Sequence, residues 1–213
     1  GIFGGSLYFF TENTALGITQ ASNVSFIICT APLLTTILSL LFYKSEKASK
    51  GLIYGSLLAL MGVGLIVFNG SFVLKISPIG DLLTLLAALS WAFYSLIIKK
   101  MAGRYPTVFI TRKIFFYGVL TILPAFLLHP LQPDTAVLLQ PAVLFNLLFL
   151  AVLASLICYV LWNLVLKQLG TVRASNYIYL NPLVTMIASF LILDEKITFF
   201  ALGGAACIFC GVY

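Results

Sequence analysis

The sequence predicts an all-α fold, a polytopic helix bundle built for a bilayer. Three observations predict it. Only 8% of the 213 residues are charged and 62% are hydrophobic, against roughly 25% charged in soluble domains; a soluble core of this size could not hide so much apolar surface. The apolar residues fall in runs near the ~20 residues that cross a hydrocarbon core, not in the alternating segments of a β-barrel. Short polar or proline-bearing connections, such as KSEKASK (44–50) and HPLQPD (129–134), separate the runs.

Eight transmembrane helices follow in order: Ile2–Leu16, Val24–Tyr43, Gly51–Phe68, Gly80–Ile98, Val108–Leu128, Leu144–Leu166, Ala174–Leu193 and Ile197–Tyr213. The first opens at Gly1-Ile2-Phe3, already apolar, and the last stops at Cys210-Gly211-Val212-Tyr213, so both ends read as cut. Glycines on the third (Gly51, Gly55, Gly62, Gly64) and eighth (Gly203, Gly204, Gly211) allow close helix approach, within one subunit or across a homodimer. On the fourth, Thr84, Ala88, Trp91 and Ser95 share a face. The fifth begins with Arg112 and Lys113, read as snorkelling to the headgroups, with an anion-attracting vestibule as the alternative. The eighth carries Cys207 and Cys210 at CxxC spacing inside lipid, where thiols act as small packing groups. No metal site and no cofactor is predicted.

The net charge of +6 does not point to nucleic acid, because its distribution is one-sided. If the segments cross in turn, ten of the twelve basic residues gather on one side and only Lys75 and Lys196 on the other. That is the positive-inside pattern, and it puts the basic side and the C-terminus in the cytoplasm. His129 falls in a loop on the other side.

The chain also matches itself. Shifted by 150, Asn13–Leu41 and Asn163–Leu191 share ten of 29 residues, including Asn13/Asn163, Ser25/Ser175, Ile28/Ile178, Pro32/Pro182 and Thr35/Thr185. Shifted by 149, Glu46/Glu195, Lys47/Lys196, Gly55/Gly204 and Gly62/Gly211 follow. Five helices separate equivalent positions, and an odd number inverts the second copy. Inverted-topology repeats are a signature of secondary transporters. By the same offset, about two helices are expected upstream of residue 1, completing ten helices in two five-helix sets: residues 1–73 are the last three of the first set, 74–213 the second.

The runs Ala21-Ser22-Asn23 to Ala31-Pro32, Glu46-Lys47 and Gly62-Val63-Gly64 resemble the end of a first EamA repeat. Gly80-Asp81-Leu82-Leu83, Ala87 to Ala92, Tyr179-Leu180-Asn181-Pro182, Asp194-Glu195-Lys196 and Gly204 to Tyr213 resemble a second. The chain is thus similar to the EamA-type permeases of the drug/metabolite transporter superfamily along essentially its whole length. The resemblance implies a central cavity between halves and export of small metabolites, often amino acids, across the cytoplasmic (inner) membrane of a bacterium. It departs from the pattern at Ser45 and Asp194, where Gly usually precedes Glu, and in lacking the first two helices, without which the piece is expected to be inactive alone.

Candidate site residues follow from polarity within the spans. Pro32 and Pro182 each remove a backbone donor and leave the carbonyls of Ile28 and Ile178 seeking another partner. They are either structural kinks or paired breaks marking the solute site. Tyr159, Trp162 and Asn163 share a face of the sixth helix with Ser155, as cavity residues or, since Lys167 follows, as interfacial anchors. Tyr177, Asn181 and Thr185 share a face of the seventh; Tyr8, Trp91 and Tyr94 complete the cavity set. Glu12 reads as an interfacial or ion-paired carboxylate, or one bonded to Thr11 or Asn13. The sharper reading makes it the residue that couples flux to a proton or cation gradient, since an acid within the bilayer should face protein or water. A membrane enzyme lacks its motifs, with no HExxH, GxSxG or Walker loop. An ion channel lacks a filter or charged ring, and a non-transporting scaffold would not need paired prolines.

Overall fold

The computed structural model describes residues 1–43, 50–68, 77–128, 135–193 and 197–212. Sequence readings at Lys44, Ser45, Glu46, Lys47, Lys75, His129, Asp134, Asp194, Glu195, Lys196 and Tyr213 fall outside them. Every expected span is helical and the described residues contain no strand. The helices are α1 (residues 2–18), α2 (Ala21–Phe42), α3 (Lys50–Phe68), α4 (Pro78–Ala102), α5 (Thr107–Leu128), α6 (Pro141–Leu169), α7 (residues 171–193) and α8 (Phe199–Val212). From α2 to α7, all six are long and apolar enough to cross a membrane. The first and last are shorter, so the count of eight crossings rests on sequence alone.

Both proline positions were expected in mid-helix with a lost bond; instead each helix restarts there. Helix α2 breaks at Cys29-Thr30, where the Thr30 N–H donates to the Ile27 carbonyl at 2.9 Å, and Pro32 enters the first turn of Ala31–Phe42. In α7 a 3-10 turn, Tyr177–Leu180, separates Thr171–Asn176 from Asn181–Leu193. There the Asn181 N–H serves the Ile178 carbonyl, which therefore has a partner. A proline in a first turn removes a donor the helix does not use, so the breaks accommodate both rings at little cost.

Helices α3 and α8 pack along their glycines, within this one chain. A methyl on Gly62 would sit 2.5 Å from the Gly204 carbonyl oxygen, and one on Gly204 would meet the Gly62 oxygen at 2.5 Å. One glycine pair away, Gly55 faces Gly211 in the same fashion. Since 55 meets 211 and 62 meets 204, the two helices run antiparallel. Backbone contact this close requires the absent side chain.

Elsewhere α4 is the central staff. Its start lies beside the end of α1, where the Ser77 hydroxyl reaches the Ile18 carbonyl at 3.4 Å; its far end meets the end of α2, where Tyr43 donates to the Leu96 carbonyl at 3.1 Å. Gly170, with φ +78°, turns α6 into α7. Two clusters form the core: Tyr94, Ile98, Ile110, Ile114, Tyr159 and Leu166 between α4, α5 and α6, and Cys29, Ala59, Val63, Tyr179, Leu183 and Ile208 between α2, α3, α7 and α8.

Candidate functional site

A cavity of about 460 Å³ lies between the two broken helices. Its wall includes Ile28 and Ile178, which are repeat mates, and with them Ser25, Cys29, Asn181, Pro182 and Thr185. Glu12 and Leu16 of α1, Ala21 and Ser22 of α2, Ile66 and Val67 of α3, and Ile197 and Ala201 close it. These are the last turns of α1 and α3 and the first turns of α2 and α8. The cavity therefore belongs to the end of the bundle opposite the basic residues of α4–α7.

Glu12 is half-buried on this wall. Its Oε1 accepts a hydrogen bond from the Tyr8 hydroxyl, one turn earlier, at 3.0 Å. The partners expected for it are occupied elsewhere: Thr11 donates to the Leu7 carbonyl at 2.8 Å and Asn13 to the Phe9 carbonyl at 2.8 Å. Hydroxyl and amide side chains return their protons to the preceding turn whenever lipid offers nothing better.

Five of the aromatic candidates gather below the cavity and do not line it. Trp91 is the hub, with ring centroids 5.1 Å from Tyr8, 5.1 Å from Tyr94, 5.8 Å from Trp162 and 6.0 Å from Tyr159. Tilted and edge contacts of this kind contribute about 0.5–1.5 kcal/mol each beyond burial. Asn163 is 1% exposed and pins the cluster. Its Oδ1 accepts from the Tyr94 hydroxyl at 2.7 Å and its Nδ2 donates to Thr111 Oγ1 at 2.9 Å. Tyr159 donates to the Gly4 carbonyl at 2.6 Å, and Gly4 lacks the side chain that would strike the Tyr94 ring.

Tyr159 and Asn163 are core residues, so the interfacial-anchor reading does not describe them: they point at α1, α4 and α5, not at a headgroup layer. Pro32 is buried but its partner Pro182 is the one on the cavity wall. Tyr177 stands 39% exposed on the 3-10 turn and is not among the lining residues. Thr111, Gly4, Ser22 and Met186 were not singled out by sequence. Ser25 and Thr185 carried a signal, since both are repeat identities. A second cavity, about 530 Å³ and largely apolar, lies between the start of α1, α4 and α5, with Tyr94 on its wall.

Six helices long and apolar enough to cross a membrane, packed around a partly polar cavity, define a polytopic integral membrane protein. The chain belongs to the EamA-like transporter family, whose model matches residues 1–68 and 78–213. It is 31% identical over 212 residues to an uncharacterized transporter of Archaeoglobus fulgidus, covering 99% of this chain and 72% of that protein. It is 29% identical over 182 residues to a probable amino-acid metabolite efflux pump of Salmonella typhimurium, covering 81% of this chain and 60% of that one. A solved crystal structure superposes on the whole chain with a TM-score of 0.81 at 19% identity, the chain covering 71% of it, a likeness of fold alone. Members of the family are transporters, not enzymes, and a small-molecule substrate and a lipid bilayer are implied with them.

Proposed function

We propose that the protein is a secondary transporter exporting a small metabolite, such as an amino acid, by alternating access of two inverted repeats. The carrying observation is that the cavity sits between repeat-equivalent helix breaks, with Ile28 and Ile178 both on its wall. Paired interruptions at one pocket are how such carriers build a solute site. The antiparallel glycine crossing of α3 and α8, which are repeat mates, supports the inversion. The name of the Salmonella relative supports an amino-acid-like solute and the outward direction.

In this reading the basic ends and the C-terminus face the cytoplasm of an inner membrane, and the cavity opens to the opposite side. The Trp91 cluster then blocks the cytoplasmic path, and its rearrangement is the step that re-exposes the site. Glu12 is the coupling residue for a proton or cation. Counterflow of a panel of amino acids and small metabolites by the full gene product in proteoliposomes tests this. Saturable exchange that collapses in Thr185→Phe, which fills the cavity, is the expected result. Exchange indifferent to Thr185→Phe, or no saturable exchange, refutes the carrier site. Unaltered transport and pH profile in Glu12→Gln would remove Glu12 from coupling.

A further inference from the structure

We propose that Thr35 and Ser175, sealed in this structure, are solute contacts of the opposite-facing state, taking there the places that Thr185 and Ser25 hold here; this rests on reading the cavity as the solute site of two inverted repeats. Ser25 and Ser175 are repeat mates, as are Thr35 and Thr185. Ser25 and Thr185 stand exposed on the cavity wall, whereas Ser175 and Thr35 are each 0% exposed. The same reversal separates Asn181 from Ala31 and Ala21 from Thr171: the first of each pair is exposed on the cavity and its mate is buried. The division follows the helix breaks. The first half of α2 and the second half of α7 face the cavity, while the second half of α2 and the first turns of α7 pack on each other. An open cavity and a sealed seam made of each other's mates are what two inverted copies give when each holds the conformation the other can take. Exchanging those conformations opens the seam and closes the cavity.

Packing alone does not account for the sealed hydroxyls. Buried threonines elsewhere in the bundle return their protons to the preceding turn: Thr36 donates to the Pro32 carbonyl at 2.9 Å, Thr84 to Gly80 at 2.7 Å and Thr111 to Thr107 at 3.0 Å. The Thr35 and Ser175 hydroxyls have no hydrogen-bond partner among the described residues. An unanswered buried hydroxyl is destabilising, and a solute entering the opened seam would answer both. Each hydroxyl can donate or accept, so the pair suits either end of an amino-acid-like solute, as Ser25 and Thr185 do on the open side.

Ser25→Cys, Thr185→Cys, Thr35→Cys and Ser175→Cys are made singly in the otherwise cysteine-free full gene product, each a near-isosteric change. Oriented membrane vesicles are then treated from either side with a membrane-impermeant cationic methanethiosulfonate. Ser25→Cys and Thr185→Cys should react from one face and Thr35→Cys and Ser175→Cys from the opposite face, each at least about tenfold faster than from its other side. A mixture of the common amino acids on the reactive face should slow each reaction at least about threefold. Thr171→Cys, a third position on the seam, replaces either seam variant that does not fold. Seam cysteines unreactive from both faces, or reactive from the same face as Ser25→Cys, overturn the proposal and leave the cavity as the solute site. Seam cysteines that react without protection, while Ser25→Cys and Thr185→Cys are protected, likewise overturn only the solute contacts. Ser25→Cys and Thr185→Cys unreactive from both faces, or no protection at any position, overturn the cavity reading together with the proposal.

Discussion

Helices α4 and α6 are both long apolar spans, yet half of the most apolar window of α4 is buried and only 6% of that of α6. The less buried helix is the greasier one. Helix α4 carries Thr84, Ala87, Ala88, Ser90, Ala92 and Ser95 at its buried positions, whereas the first half of α6 exposes Phe145, Leu148, Leu150, Leu153 and Leu156. In a bilayer, lipid tails satisfy leucine as well as protein does, so hydrophobicity no longer sorts inside from outside. Small side chains, which let backbones and rings come close, and hydroxyls, which bond within their own turn, take over that role. Thr84 does both, donating to the Gly80 carbonyl at 2.7 Å from a fully buried position. Among the described residues, α6 fully buries only Tyr159, Asn163 and Leu166, with Trp162 and Val165 partly buried beside them.

The contrast can be broken in four places. The largest effect belongs to the closest backbones: Gly62→Leu drives a side chain into the Gly204 carbonyl and should cost more than about 3 kcal/mol. It would appear as loss of monodisperse protein on size exclusion, while Gly203→Ala, with nothing within 4 Å, should behave as wild type. Next, Ala88→Leu on the buried face of α4 should cost about 1–3 kcal/mol by thermal unfolding in nanodiscs. Asn163→Leu strips the cluster of two hydrogen bonds and should cost about 1 kcal/mol, since polar pairs in membranes average about 0.6 kcal/mol each and reach about 1.7 kcal/mol. A double-mutant cycle with Thr111→Val should show coupling there. The smallest effect is Leu153→Ala, 48% exposed on α6, at under about 0.5 kcal/mol. If Leu153→Ala proved as damaging as Ala88→Leu, α6 would be covered by protein and the contrast would fall.

Much of the fold was legible because the membrane demands long apolar helices, and their positions were read to within a few residues. The breaks were half legible. Pro32 and Pro182 marked the places, but local sequence could not say that each helix would stop and restart. That outcome depends on the 3-10 turn at Tyr177–Leu180 and the turn at Cys29-Thr30 finding partners in their own backbone. Glu12, Asn181 and Pro182 were legible as polar or irregular points in a greasy run, and the structure brings them to one cavity. Tyr94, Tyr159 and Asn163 were legible as notable residues but not as a mutually packed set. Their contacts join helices up to 155 residues apart, as in the Tyr159 to Gly4 bond.

The sequence by itself determined the solvent this protein folds in, the helices that solvent requires, and the family. Each depends on properties that add along the chain: apolar run length, charge placement and recurrence at a constant offset. Tertiary structure alone decided that Gly62 meets Gly204, that Trp91 sits under Glu12 and that Asn163 joins Tyr94 to Thr111. In lipid those choices follow from shape and from where the last hydrogen-bonding groups can meet, and neither is written in any one helix.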